Sequence, residues 1–458
     1  MRKHTKLAIG LLGVPLMAAS GFAWSTEGLR LEGYGAVSRA MGGTALAQDV
    51  GVAGMMVNPA TLSMAPEGRR FSLGADVITA DIVNEDLTTG EQVRSSDRGQ
   101  NRGPYVAPQI GYTVNRGDWA FGVGAFALGG LGTEYGSDSF LSDGTSGTAT
   151  GLENSSRLLV VDIPFALSFR VNESLSIGAT VDAVWSGMNL NLLLGANQVG
   201  SLIADGRVSG SLLGTLATLP ALDGAHLSFT REHPLSSGAD AWGVSGRLGL
   251  SWRASDNTRV GAAYNFGTRL NDLQGDAVLT AVDLVAGQIP IKGHVEITDF
   301  QMPASLGFGV THELRDHWRV SLDVSRVFWR DVLKDIHVGF TSDGGDDLNL
   351  VVPQNYKDQT IVAVGSAYSI GDWVLRAGYR HGTEVVPDRD LFVTLPVTPT
   401  RILSTGFSYR LSTRSQIDFA YSHNLEIDRS NPQNTNTGNP VRTTESQDNF
   451  VLNYALNF

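Results

Sequence analysis

Phe450-Val451-Leu452-Asn453-Tyr454-Ala455-Leu456-Asn457-Phe458 ends the chain and decides how the rest of it is read. In an extended segment, Phe450, Leu452, Tyr454, Leu456 and Phe458 share one face, and Asn453, Ala455 and Asn457 share the other. Strand side chains alternate between faces, so one face calls for an apolar surround and the other accepts water or close packing. The same period of two recurs upstream in Phe71/Leu73/Ala75/Val77, Trp119/Phe121/Val123/Ala125, Val260/Ala262/Tyr264/Phe266, Trp318/Val320/Leu322/Val324 and Trp373/Leu375/Ala377/Tyr379. Aromatic residues gather toward the ends of these runs, as interfacial girdles require. Runs of about ten residues suit tilted membrane strands.

Composition agrees with one large repetitive sheet. The chain has 458 residues, 54 of them Gly, with no Cys and only 17% charged residues. Without Cys, disulfides cannot supply stability. No later apolar stretch reaches the ~18 residues that a membrane helix needs. At the N-terminus, Arg2, Lys3 and Lys6 precede the apolar run Leu7 to Ala19, the pattern of a secretory signal peptide over residues 1–23. Cleavage after Ser20 and cleavage after Ala23 both satisfy the small-residue rule. A formal charge of −12 with no basic run argues against a nucleic-acid partner.

The connections carry further information. Short polar turns fall at Asn115-Arg116-Gly117-Asp118, Asn172-Glu173-Ser174, Ser255-Asp256-Asn257, Leu314-Arg315-Asp316, Ile370-Gly371-Asp372 and Ser412-Thr413-Arg414. Long loops occupy roughly 83–103, 132–155, 191–238, 272–293, 331–357, 383–400 and 426–445. Their alternation predicts an all-β membrane protein: an antiparallel transmembrane β-barrel of about 14 strands over residues 69–458, with both termini on the periplasmic side. Tyr454 and the terminal Phe458 resemble the signal that the barrel assembly machinery reads in bacterial outer-membrane proteins. Outer-membrane lipid and lipopolysaccharide are then the surroundings, and a monomer is expected.

A lumen of that width is too broad for wall side chains to fill. The stretch Gly33 to Met64, nearly uncharged and rich in Gly, Ala and Met, precedes the first strand and has neither a strand period nor a sustained helical stripe. Asn58-Pro59-Ala60 within it reads as a helix start, because Asn caps free amides and Pro suits the first helical position. Residues 24–68 are therefore expected to form a hatch of short helices inside the lumen, which takes Met55, Met56 and Val57 out of water.

These residues resemble the long-chain fatty acid transporter (FadL) family of outer-membrane channels, which includes channels for toluene and other aromatic hydrocarbons. The likeness runs through Gly21-Phe22, Gly33 to Asp49, Asn58-Pro59-Ala60, Tyr105-Val106-Ala107-Pro108, Gly122 to Tyr135 and Met302-Pro303-Ala304-Ser305-Leu306. It implies a hatch built on Gly33, Gly42, Gly43, Asn58, Pro59 and Ala60. It also implies a lateral opening at a kinked third strand, where Gly129, Gly130, Gly132, Thr133 and Glu134 stand. Glycine in a strand weakens pairing and marks bulges. The longest loop carries Leu202, Ile203, Leu212, Leu213 and Leu216 at helical spacings, the expected capture surface for a hydrophobic small molecule. Phe22 and Trp24 are implied to line an inner pocket. The resemblance leads first to long-chain fatty acids as cargo, with aromatic or alkane hydrocarbons as the alternative. The family's fatty-acid carriers tend to place a basic residue near the pocket, and Trp185 to Ala196 has none.

Chemistry of other kinds is missing from the sequence. No nucleophile elbow, His-Glu-x-x-His pair or Walker loop occurs, so no catalytic residue, metal site or cofactor is expected. Gly122-x-Gly124-x-x-Ala127 lies within an alternating strand and opens no helix, unlike a dinucleotide loop. Asp343, Asp346 and Asp347 lack the ligand alternation of an EF-hand. A general aqueous porin and an outer-membrane lipid hydrolase using His381 or His423 are the competing functions.

Overall fold

The computed structural model describes residues 28–95, 105–231, 237–394, 396, 400–432 and 437–458. The wall consists of β1 (Gly68–Asp86), β2 (Tyr105–Arg116), β3 (Trp119–Gly136), β4 (Asn154–Arg170), β5 (Leu175–Gly195), β6 (Ala239–Ser255) and β7 (Thr258–Asn265). It continues through β8 (Ser305–Arg315), β9 (Trp318–Val327), β10 (Gln359–Ile370), β11 (Trp373–Gly382), β12 (Arg401–Arg410), β13 (Ser415–Asn431) and β14 (Val441–Asn457). Each strand pairs antiparallel with the next. β14 then returns to β1 from Arg70↔Asn457 to Asp86↔Val441, so the sheet closes on itself. Closure removes the edge strands whose bare amides hydrocarbon would not tolerate.

The outer rim differs from the expected count of about 14. β5 leaves β6 after Met188↔Ala239. Strand Leu222–Phe229 then pairs with the outer half of β5, and strand Leu273–Asp283 pairs with it in turn and meets β6 at Gln274↔Asp240. These two wedged strands bring the rim to sixteen. They lie in stretches that read as the long loops 191–238 and 272–293. Alternation is legible only where one face meets lipid, and Leu273–Asp283 is buried almost throughout its second half. Gly287–Thr298, Asp335–Ser342 and Asp347–Pro353 extend the same sheet outward as a canopy.

The two faces of the wall have inverted polarity relative to a soluble protein. Val181 (69% exposed), Phe165 (57%), Leu452 (58%) and Leu73 (53%) point outward, while Asp182, Asp162, Asn449 and Asp76 on the same strands are fully buried inside. Aromatic pairs band the outer face near the short turns, with Trp119 and Phe169 at 4.4 Å and Trp373 and Tyr409 at 4.4 Å between ring centroids. Phe458 and Tyr454 are exposed on this face, and Phe458 exchanges backbone hydrogen bonds with Arg69.

The Val181 position tests the lipid-facing assignment. Val181→Arg is expected to lower stability by about 2–4 kcal/mol, the cost of a cation near mid-bilayer, in urea unfolding from lipid vesicles. An unchanged unfolding midpoint would contradict it.

Candidate functional site: an apolar path closed by the N-terminal segment

The segment before β1 is held together by short elements: α1 (Gly35–Arg39), a 3-10 turn (Gly51–Ala53), α2 (Gly54–Val57) and a second 3-10 turn (Pro59–Met64). None is long enough to persist alone in water. Wall contacts on several sides of the ring fix them. Arg39 pairs with Glu32 beside it and with Asp76 on β1, all three side chains buried. Asp323 on β9 accepts the N–H groups of Ala45 and Leu46 at 2.8 and 3.0 Å. Asn58 caps Ala60 N–H at 3.1 Å, and its amide nitrogen donates to Leu46 O at 2.6 Å and to Leu250 O of β6 at 2.9 Å.

Glycines in the wall make room for this segment. Gly178 on β5 and Gly249 on β6 are paired, and a Cβ at either would overlap Asn58-Pro59-Ala60. Met55 lies in a recess made by Gly111 of β2 and Gly122 and Gly124 of β3. Met55 and Met56 are fully buried. Gly42 (φ 70°) presses on the Tyr379 backbone of β11, Gly43 (φ 85°) on Glu32 O, and Gly33 packs on Ser38 and Gly43.

The third strand departs from regular pairing where the glycines fall. β2 and β3 pair from Arg116↔Trp119 only as far as Gln109↔Phe126. Beyond that point β3 follows β4 alone, and its register shifts between Ala127 and Gly129 and again between Glu134 and Gly136. Residues 29–31 lie along the edge that β3 thereby frees. Gly130 N–H donates to Leu29 O at 2.9 Å, Leu31 N–H donates to Leu128 O at 3.3 Å, and Arg30 bridges Gly129. The Arg30 guanidinium reaches across to Ser305 Oγ on β8 at 3.0 Å. A Cβ on Gly129 would overlap the Leu29 carbonyl, and one on Gly132 would overlap the Tyr105 ring of β2. Farther out, Thr133 Oγ1 donates to Thr394 O at 2.9 Å and Tyr135 Oη to Val393 O at 2.8 Å, while Glu134 N–H donates to Ser95 Oγ at 3.0 Å.

Buried side chains form one continuous apolar cluster. It takes in Phe340 of the canopy, Leu212, Phe229 and Leu279 of the outer rim, Trp329, Leu333, Tyr356 and Val385, then Leu29, Tyr34 and Leu128, and the segment's own Met55 and Met56. On the short-turn side of the segment the character changes. There a cavity of about 230 Å³ is lined by groups such as Asp49, Arg70, Gln109, Arg376 and Asp418. A second of about 400 Å³ is lined by Gln48, Glu313, Arg315, Asp316, His317 and Arg319.

Of the expected capture residues, Leu212 belongs to the cluster and Leu216 is buried nearby, Leu202 and Leu213 are half-buried, and Ile203 is exposed on helix Ala196–Ala204. Phe22 and Trp24 lie outside the described residues. Trp329, Tyr356 and Leu128 were not singled out by sequence; Trp329 and Tyr356 stand in or beside a stretch whose irregular pattern reads as loop. Among the described residues no group of His, Cys, Asp or Glu is placed to hold a metal ion.

A closed barrel with an apolar approach and a bulged wall defines a channel of the outer membrane for hydrophobic compounds. The chain belongs to the outer membrane protein transport protein family (OMPP1/FadL/TodX), whose model matches residues 16–458. It is 40% identical to the Pseudomonas putida toluene transporter TodX, with a TM-score of 0.84 over 93% of this chain and 99% of that one. The Ralstonia pickettii toluene transporter TbuX is 43% identical, with a TM-score of 0.80 over 93% and 99%. The long-chain fatty acid transport protein of Salmonella typhi is 25% identical over 92% of this chain and 93% of its own length.

Arg39→Ala would leave Glu32 and Asp76 as buried, unpaired carboxylates, a loss of roughly 3–5 kcal/mol. The expected result is a loosened N-terminal segment, seen as higher ion conductance in planar bilayers. Conductance equal to wild type would contradict this role.

Proposed function

We propose that the chain is a passive outer-membrane channel that captures small apolar compounds at the canopy and releases them sideways into the bilayer between β2 and β3. The observation that carries this reading is the apolar cluster, which runs from Leu212 to Leu128 at the β3 bulge and has charged cavities behind the N-terminal segment. In this reading residues 24–68 are a hatch in a barrel of residues 69–458, the leader is removed after Ser20 or Ala23, and both termini face the periplasm. The protein works as a monomer whose terminal Tyr454 and Phe458 guide assembly. Transfer requires no chemistry. The ligand displaces residues 29–31 from β3, and the uncovered edge opens directly to hydrocarbon.

Monoaromatic hydrocarbons are the cargo that fits best. Identity to the two toluene transporters, 40% and 43%, well exceeds the 25% to the fatty acid transport protein. Release energetics agree. Burial gains about 0.8 kcal/mol per methylene, so a chain of some fifteen would gain roughly 12 kcal/mol before entropy costs and leave slowly. A single ring buries about half as much. The buried cations are also engaged already, Arg39 by Glu32 and Asp76 and Arg247 by Asp162 and Asp182, which leaves them poorly disposed toward a carboxylate. Long-chain fatty acids are the second reading, favoured by the full-length match to the Salmonella typhi protein.

The test compares uptake of labelled toluene and oleate in a host lacking such channels, with wild type and Gly129→Val. Toluene uptake well above the empty host, falling at least tenfold in the variant, is expected. Equal uptake by both forms would remove the lateral route; oleate uptake alone would reverse the cargo.

A further inference from the structure

Trp329 sits in the 3-10 turn Trp329–Asp331 that follows β9, and its carbonyl accepts the N–H groups of Val332 and Leu333 at 3.1 and 3.0 Å. The turn is therefore fixed, and the indole with it. The side chain is 0% exposed, and its Nε1–H meets no acceptor. Tyr356 stands edge-on to it at 5.7 Å between ring centroids and is itself 5% exposed. Burial raises the pKa of the Tyr356 phenol above its ordinary value, so the group stays protonated.

Buried donors in native proteins nearly always have partners, and the exceptions call for an explanation. Phe in place of Trp329 would fill the same apolar surroundings without an orphaned N–H. The covering of the ring indicates what the N–H is kept for. Gly28 (φ 66°) lies directly on the indole, so close that a Cβ would overlap its six-membered ring. Gly28 leads immediately into residues 29–31, which cover the β3 bulge. What shields the indole is a stretch of backbone belonging to the same segment that a passing ligand displaces.

We propose that Trp329 is a specificity-determining residue whose Nε1–H takes the acceptor of a neutral oxygenated monoaromatic compound, such as an aryl ketone or aryl ester. The cargo class then extends beyond plain hydrocarbons. This rests on the channel function proposed above. The ligand takes the place of Gly28 and residues 29–31 over the indole, beside Tyr356, and its carbonyl oxygen accepts from Nε1–H. An alkylbenzene fills the same space and leaves the N–H unpaired. A hydrogen bond made in an apolar site to an otherwise orphaned donor counts for more than one made in water, where solvent competes.

Acetophenone and ethylbenzene, nearly equal in shape, separate the two cases. Their affinities are measured on the purified full chain in lipid nanodiscs, for wild type and Trp329→Phe. The acetophenone-to-ethylbenzene affinity ratio is expected to fall about tenfold in the variant. An unchanged ratio, or a parallel loss for both ligands, overturns the assignment. The infrared carbonyl band of acetophenone bound to wild type gives a readout that does not depend on the variant folding. A shift to lower wavenumber than in alkane supports the hydrogen bond, and an alkane-like band overturns it. Failure of wild type to bind ethylbenzene would instead bring down the channel reading itself.

Discussion

No backbone amide can face hydrocarbon without a partner, and that constraint organises the molecule. The wall meets it by closing β14 onto β1. It meets it by another means at one place, where β2 and β3 part after Phe126 and β3 is left with a free edge. There residues 29–31 supply the missing hydrogen bonds to Leu128 and Gly130. A seal made of a few hydrogen bonds from an irregular segment is weaker than a continuous ladder. Under the function proposed above it is the part of the wall that a ligand exchanges for its own contacts, whereas opening any regular pair would break a whole row.

In the proposed function the rest of the N-terminal segment stays in place while residues 29–31 move. Arg39, Asp323 and Asn58 fix it to β1, β9 and β6 through charged or bidentate contacts in buried surroundings, where losing one partner is costly. Residues 28–31 lie beyond these anchors and hold on mainly through backbone. The segment's own apolar residues join the buried apolar cluster, and charged groups line the cavities of about 230 and 400 Å³ beside it.

Much of this was legible in the sequence where a single physical rule acted. Lipid-facing alternation in Trp119 to Ala125 and Trp373 to Tyr379 located wall strands, and tight turns such as Ile370-Gly371-Asp372 located their joins. Asn58-Pro59-Ala60 announced a capped turn, although it winds as a 3-10 helix. The strands Leu222–Phe229 and Leu273–Asp283 were hidden because Leu222–Phe229 carries Asp223 on one face and His226 on the other, and Leu273–Asp283 is buried on both faces in most of its second half. The glycines at 129, 130 and 132 signalled a distorted strand, but not that Leu29 would press against the first of them. The pairing of 29–31 with β3 and the placing of Trp329 against Gly28 join residues about 100 and 300 positions apart, and no local pattern records such contacts.

The central claim is that cargo dislodges residues 29–31 from β3 while the rest of the N-terminal segment stays anchored. Amide hydrogen exchange of the full chain in lipid nanodiscs, with and without saturating toluene, measures this directly. Toluene is predicted to speed exchange at Leu31 and Gly130 and to leave Ala45 and Leu46 protected. Unchanged protection at Leu31 and Gly130, or loss of protection throughout the segment, would contradict the account.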